Sequence, residues 1–318
     1  MDAFFEMLEN VIMFVALAIP GYLLVKCKVF KSSETGVLSK FLSLVALPLF
    51  VLYSTLSIDF TGDMAGRLCL LAGIGIFFTF LLYVLAFLLT KGQPEKKKRG
   101  MLQFCMIFSN SGFLGLPLAE EVFGSIEPTA KTFMIILNIV NNIYMYTLGI
   151  YMITGDKKQM NAKKALLNPV LITFLLGIIL NLTKLTDRIP QIEDFSGKIG
   201  TTVTPLSMII LGAKMAGVPF LKIFTSKTTY CVSAVKLVIS PILAIALILL
   251  LRLFLPINNA MILAFFVAFS TPTATLSNTF ADQYDGDTDT AVCSALGSTI
   301  LSIATISLLY WGLSAILF

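Results

Sequence analysis

An otherwise apolar stretch at 101–122 contains a run of helix-breaking residues, Ser109-Asn110-Ser111-Gly112-Phe113-Leu114-Gly115-Leu116-Pro117. Asn and Ser favour helix caps, Gly permits unusual backbone angles, and Pro lacks a hydrogen-bond donor. The stretch can cross a bilayer, because about 20 apolar residues span the hydrocarbon core. We therefore predict a helix that is interrupted near the middle of the membrane. The alternative is a kink that serves only packing.

A second stretch of the same character, Ser270-Thr271-Pro272-Thr273, lies in the apolar run 258–281. Its order predicts a helix N-cap followed by Pro at the first helical position. Each break frees backbone N–H groups and presents the partly positive end of a half-helix, which favours an anion such as a carboxylate. The binding site predicted from the two breaks comprises Asn110, Ser111, Gly112, Pro117, Thr271, Pro272 and Thr273.

The composition excludes most other classes of protein. Of the 318 residues 57% are hydrophobic and 13% are charged, whereas soluble domains carry about 25% charged residues. A soluble enzyme, a disordered chain and a nucleic-acid-binding domain are therefore not expected, and the net charge of +5 lies in short loops. The sequence has no histidine, which removes His-based metal sites and Ser-His-Asp triads. We expect neither catalysis nor a metal or other cofactor.

The apolar runs predict an all-α polytopic membrane protein with ten transmembrane helices. The predicted spans are roughly 5–25, 37–57, 67–90, 101–122, 130–153, 165–183, 198–216, 228–251, 258–281 and 290–317. The broken stretches are the fourth and the ninth of these spans.

The two halves of the chain, 1–154 and 165–318, each hold five predicted spans and are joined by a linker at 155–164. Prolines recur 69 residues apart in the first half and 67 apart in the second: Pro48 with Pro117, and Pro205 with Pro272. An odd number of spans gives the halves opposite orientations in the membrane. We therefore predict a five-plus-five inverted repeat, which together with broken helices is typical of secondary transporters.

The distribution of basic residues predicts the orientation. Sixteen lysines and arginines lie in the loops that follow odd-numbered spans, and six lie on the other side. Positively charged loops stay in the cytoplasm, so both termini are expected on the other side of the membrane. The expected location of the protein is the cell membrane. The acidic loop at 282–289 has no basic residue, but acidic residues contribute little to orientation.

Three further polar residues are candidates for the site. Lys236 is about 13 Å into the eighth span at 1.5 Å per residue, and a lysine at that depth is expensive and usually functional. It either attracts an anion or binds backbone carbonyls of a neighbouring broken helix. Asn138 and Asn142 share a face of the fifth span with Asn141, and they either line a cavity or hold helices together. The small polar residues of the tenth span, Ser298 among them, are expected to hold helices together.

Several motifs, in this order, resemble the auxin efflux carrier family over essentially the whole chain. The motifs are Asn110 to Leu118 with Phe123-Gly124, Leu167-Asn168-Pro169, Pro205-Leu206, Leu211-Gly212, Ser240-Pro241 and Thr271-Pro272 with Tyr284, Asp287 and Ser298. The resemblance implies that the fourth and ninth helices cross at their prolines and that Asn110, Pro117 and Pro272 line the substrate site. It also implies a mobile transport domain of spans 3–5 and 8–10. Spans 1–2 and 6–7 would form a scaffold, through which the protein is a homodimer.

The short linker resembles prokaryotic members of that family, for which dicarboxylates such as malate or malonate are implied. The expected function is thus secondary transport of a small organic anion by an elevator-like movement. An anion channel or a ligand-sensing receptor on the same fold is the alternative. The expected partners are the organic anion, the lipid bilayer and a second copy of the chain, with no nucleic acid.

Overall fold

The computed structural model describes residues 9, 12–13, 16–31, 34–58, 60–123, 126–217 and 220–317. In these ranges the regular structure is helical, with one isolated β-bridge. Six helices are long and apolar enough to cross a membrane, judged by length and composition: Thr35–Leu56, Gly62–Leu89, Ala130–Thr154, Gln191–Ala216, Lys227–Arg252 and Thr288–Leu317. The shorter helices Pro169–Leu182 and Asn259–Ser270 are also apolar. The protein is therefore a multi-pass membrane protein.

The main helices are named here in chain order. They are α1 (Ile19–Lys26), α2 (Thr35–Leu56), α3 (Gly62–Leu89), α4 (Lys96–Ile107), α5 (Leu116–Phe123), α6 (Ala130–Thr154), α7 (Pro169–Leu182), α8 (Gln191–Ala216), α9 (Lys227–Arg252), α10 (Asn259–Ser270), α11 (Leu276–Gln283) and α12 (Thr288–Leu317). Short helical turns lie at Lys157–Gln159, Ala162–Leu166, Leu185–Arg188 and Phe220–Thr225. The fourth predicted span thus forms α4 and α5, and the ninth forms α10 and α11.

Several helices begin where the sequence provides a capping side chain. The Asn168 side chain accepts a hydrogen bond from the Val170 N–H at 2.9 Å, with Pro169 in the first turn of α7. Asn258 caps α10 in the same way through the Met261 N–H at 2.9 Å. These side chains satisfy backbone donors that the first turn of a helix leaves unpaired.

Wide π-helical turns precede three prolines. The turns are Leu42–Ala46 before Pro48, Ser111–Gly115 before Pro117, and Val235–Ile239 before Pro241. A proline has no N–H, and its ring clashes with the carbonyl four residues earlier. The wider turn relieves that clash, so each of these prolines stays within a helical run.

The helices pack in two groups. In the first group α2 packs against α7 and the first part of α8, and α1 packs against the second part of α8. In the second group α3 and α10 pack on α6, and α9 packs on α10 and α12. The groups touch where α2 and α7 reach α6, and they meet again where the second part of α8 faces α5 and the Ser111–Gly115 turn. We call this contact the α8–α5 interface.

Two glycines let α1 and α8 approach very closely. A Cβ atom on Gly21 would overlap the Ile209 carbonyl oxygen, and one on Gly212 would overlap the Ala18 carbonyl oxygen. Small residues at such crossings are how membrane helices bring their backbones together without a hydrophobic driving force. Gly21 and Gly212 therefore set how closely α1 packs against α8.

The helical part of the sequence prediction is confirmed by these bounds. Each of the six long helices overlaps a predicted span, with ends that differ by a few residues. Much of the first predicted span, at 5–25, lies outside the described residues, of which the named helix there is α1. The count of ten membrane crossings, their inverted arrangement and the division at 154 and 165 stay predictions.

Candidate functional site

The two helix breaks pair with each other. After α4 ends at Ile107 the chain becomes extended at Phe108, and after α10 ends at Ser270 it becomes extended at Thr271. The extended segments 108–110 and 272–274 run antiparallel, with Ser109 opposite Thr273. The Asn110 N–H donates to the Pro272 carbonyl at 2.8 Å, and the Ala274 N–H donates to the Phe108 carbonyl at 3.0 Å. Each break thus satisfies backbone groups of the other, and we call this pair of segments the crossing.

Asn141 of α6 closes the first break from the side. Its Oδ1 accepts the Ser109 N–H at 3.3 Å, and its Nδ2 donates to the Ser109 carbonyl at 3.1 Å. The same Nδ2 lies 3.1 Å from the Ser111 hydroxyl. A primary amide offers one acceptor and a pair of donors, so Asn141 pairs with Ser109 as a neighbouring strand would.

The predicted residues Ser111, Gly112, Asn138 and Asn142 lie together beside the crossing. The Ser111 hydroxyl donates to Asn138 Oδ1 at 2.8 Å, and Asn142 Nδ2 donates to the same oxygen at 3.1 Å. Asn142 Nδ2 also donates to the Asn138 carbonyl at 2.9 Å. Gly112 lies beside this network, and a Cβ there would stand 3.5 Å from Asn138 Oδ1, an ordinary contact distance. Asn138 Nδ2 is buried and has no partner in the described part of the chain.

The second break is held by α12 and α4. Ser298 accepts the Thr273 N–H at 3.1 Å, and the Thr273 hydroxyl donates to the Cys105 carbonyl at 2.9 Å. Thr271, Pro272 and Thr273 are all buried. Ser298 therefore accepts a backbone N–H of the second break, as Asn141 accepts one of the first.

Lys236 is completely buried in the π-helical turn of α9. Its ammonium donates to the Ile107 carbonyl at 3.0 Å and to the Ser109 hydroxyl at 2.6 Å. Of the two readings that the sequence leaves open, the geometry corresponds to the one in which Lys236 binds a carbonyl of a neighbouring broken helix. Binding of an anion by Lys236 stays a prediction.

Asn110 is the last residue of the first extended segment, next to the Ser111–Gly115 turn. Its carbonyl accepts hydrogen bonds from Leu114 and Gly115, while its side chain makes no capping bond and is 6% exposed. Asn110 lines a narrow cleft at the α8–α5 interface. The other residues that line the cleft are Phe113, Leu114, Ser207, Met208, Ile210, Leu211, Lys214 and Thr275.

Two expectations from the sequence are wrong in detail. Pro272 does not open a helix: it belongs to an extended segment, its carbonyl accepts the Asn110 N–H, and α11 begins at Leu276. The helices cross at Ser109 and Thr273, so Pro117 lies eight residues beyond the crossing and inside the helical run that leads into α5.

Sequence reasoning did not assign Ser109, Asn141 or Lys214 to the site. The sequence indicates Asn141 only as a member of a polar face and Ser109 only as part of the motif. Lys214 groups with the basic residues of a loop in the sequence, but it lies in the last turn of α8. Its distance of seven residues from Ser207 places both on one helical face, which is a signal that the sequence contains.

The described residues contain no group of three or more His, Cys, Asp or Glu side chains that could hold a metal ion. Among those residues the crossing is surrounded by amides, hydroxyls and backbone groups, and Lys236 and Lys214 lie near it. The partly buried Glu120 is paired with Lys131 at 3.1 Å. Asn138 Nδ2 is a buried donor without a partner among the described residues, and a donor of this kind can bind an anion.

Comparison with known proteins points to a membrane transport protein. Residues 6–310 match the protein family described as "Membrane transport protein". An uncharacterized transporter of Methanothermobacter thermautotrophicus is 28% identical over 303 residues, which cover 94% of this chain and 96% of the relative. A lysosomal cholesterol signaling protein of Mus musculus is 23% identical over 213 residues, which cover 62% of this chain and 24% of that protein.

Proposed function

Because the chain belongs to the membrane transport protein family, the auxin efflux carrier family, we propose that it is a secondary carrier of a small organic anion. The observation that carries the proposal is the crossing, in which two interrupted helices meet inside the protein. Non-helical backbone at membrane depth is tolerated only where it is buried in protein or lines a cavity. In secondary transporters such interrupted helices form the substrate site.

The proposed substrate carries a carboxylate, and malate and malonate are the first candidates. Asn110, which carries an amide, and Lys214, which carries an ammonium, both line the cleft. An amide N–H and an ammonium both donate to a carboxylate, and hydrogen bonds to charged groups are the stronger ones. Asn110 is therefore the residue that we expect to touch the substrate, with the remaining residues of the crossing positioning it.

The two packed groups of helices suggest how the carrier moves. We propose that α1, α2, α7 and α8 form a scaffold, which also makes the homodimer. The remaining helices from α3 to α6 and from α9 to α12 would move across it as a transport domain. Relative movement of this elevator type would expose the α8–α5 interface to each side of the membrane in turn. The proposed location is the cell membrane, with both termini outside the cytoplasm as the basic loops predict.

A ligand-sensing receptor or an anion channel on the same fold is the second candidate. The partial similarity to a protein named for signaling favours the receptor over the channel. A receptor binds its ligand without moving it, and a channel conducts without an exchange step. Both alternatives therefore differ from a carrier in one measurable property, counterflow.

Counterflow in proteoliposomes tests the proposal. Vesicles preloaded with unlabelled malonate or malate should accumulate the same labelled acid from outside faster than empty vesicles. Asn110→Ala should abolish this exchange while the protein purifies and melts as the wild type does. Uptake that is independent of preloading would favour a channel. Carboxylate binding without uptake would favour a receptor, and normal exchange by Asn110→Ala would remove Asn110 from the site.

A further inference from the structure

Two lysines lie near the crossing, and their surroundings differ. Lys236 is fully buried, and two of its three N–H donors are used by Ile107 and Ser109. Lys214 is only partly buried and lines the cleft at the α8–α5 interface. Within the described residues it has no hydrogen-bonding or ion-pairing partner. Lys236 is thus hydrogen-bonded to the protein, whereas the Lys214 ammonium is available to a ligand.

The cleft around Lys214 has the chemistry of a carboxylate site. Asn110 lines the same cleft and is 6% exposed, and its side chain has no hydrogen-bond partner among the described residues. The remaining wall is largely apolar and includes Phe113, Met208 and Leu211. Burying an ammonium and an amide in such surroundings costs free energy unless they have a partner. The low dielectric also strengthens their attraction for an anion.

We propose that Lys214 of α8 and Asn110 of the crossing bind one carboxylate of the transported anion between them. This assignment rests on the proposed function, and it makes Lys214 the cationic substrate residue. Lys236 is then a positioning residue that holds the first break. Because Asn110 and Lys214 belong to the two different groups of helices, the bound anion would bridge the α8–α5 interface.

Replacing Lys214 by Met tests this assignment, with Lys198→Met as the matched control. Lys198 is on the same helix, and its side chain is 74% exposed and paired with Asp194 at 2.7 Å. In malonate counterflow, Lys214→Met should raise KM about tenfold to a hundredfold, which is the effect of one hydrogen bond between charged groups. Lys198→Met should leave KM unchanged, and Lys214→Arg should recover most of the wild-type KM because it keeps the charge.

Melting temperature on the same samples separates binding from folding. Malonate should stabilise the wild type and Lys198→Met against heat, and should stabilise Lys214→Met much less, while the unliganded proteins melt alike. If Lys214→Met exchanges malonate as Lys198→Met does, the assignment of Lys214 is wrong and the proposed carrier function stands. The assignment is also wrong if Lys214→Met merely unfolds and Lys214→Gln, which keeps a donor without the charge, has the wild-type KM. If the wild type exchanges neither malonate nor malate, the proposed function itself fails, and the Lys214 assignment fails with it.

Discussion

Substituting Met for Lys236 removes two hydrogen bonds that close the first helix break. The Ile107 carbonyl is the last in α4, and the chain turns extended at Phe108, so no backbone N–H of the next turn is positioned to reach it. The Lys236 ammonium supplies that donor at 3.0 Å and reaches the Ser109 hydroxyl at 2.6 Å. Met has a similar length, so the substitution leaves no large cavity while it removes the donor.

The expected loss of stability follows from these contacts. A buried carbonyl left without a partner costs about 1–3 kcal/mol, whereas the Ser109 hydroxyl can turn to another acceptor. Removal of a buried ammonium returns part of the energy that its desolvation costs. We therefore expect Lys236→Met to destabilise the unliganded protein by about 1–3 kcal/mol, which lowers the melting temperature by several degrees.

The assay measures melting temperature and malonate affinity on the same purified sample. Lys236→Met should melt lower than the wild type, and the fraction that stays folded should bind malonate with nearly normal affinity. Lys198→Met serves as the control for loss of one positive charge at an exposed site. An unchanged or higher melting temperature together with a tenfold weaker malonate affinity would refute this reasoning and make Lys236 a substrate residue.

Three further predictions concern Asn141, the contact between α1 and α8, and the orientation of the chain in the membrane. Asn141→Leu should lower the free energy of unfolding by about 1–3 kcal/mol, since both backbone groups of Ser109 lose a partner. Asn142→Leu should lower it less, and thermal melts of the two variants measure the difference. Gly212→Val should prevent α1 from packing on α8, and size-exclusion chromatography of the purified variant should then show little folded protein, a result that a normal elution profile would contradict. Asp2→Cys should react with a membrane-impermeant thiol reagent in intact cells on a background in which the native cysteines are replaced; reaction only after permeabilisation would reverse the orientation.

The helical fold could be predicted from the sequence because the bilayer imposes one simple rule on the chain. A segment must be apolar and about 20 residues long, and backbone groups must pair within it. Runs such as 228–251 and 290–317 satisfy this rule alone, so their helices, Lys227–Arg252 and Thr288–Leu317, begin and end within a few residues of the predicted bounds. The interruption of the fourth span was predictable for the same reason, since its polar run breaks the rule.

The partners of the two breaks could not be predicted, because they depend on contacts between distant segments. Pro272 reads locally as the start of a helix, but its carbonyl accepts the Asn110 N–H from 162 residues away in the sequence and the segment is therefore extended. In the sequence, Lys214 is one of several basic residues near a predicted loop. Only the packing of α8 against α5 places it in a cleft with Asn110.

The hydrogen bonds of the crossing also limit which parts of the protein can move during transport. The bonds from Asn110 to Pro272 and from Ala274 to Phe108 tie the fourth and ninth spans together, and in a membrane each unpaired backbone group costs several kcal/mol. Opening the crossing at every transport cycle would break both bonds with no water to replace them. The α8–α5 interface is different, because side chains such as Leu114, Met208 and Leu211 line it and apolar side chains can slide past one another. We infer that the crossing moves as one body and that the cycle takes place at this interface, so a disulfide that joins α8 to α5 should stop exchange until it is reduced.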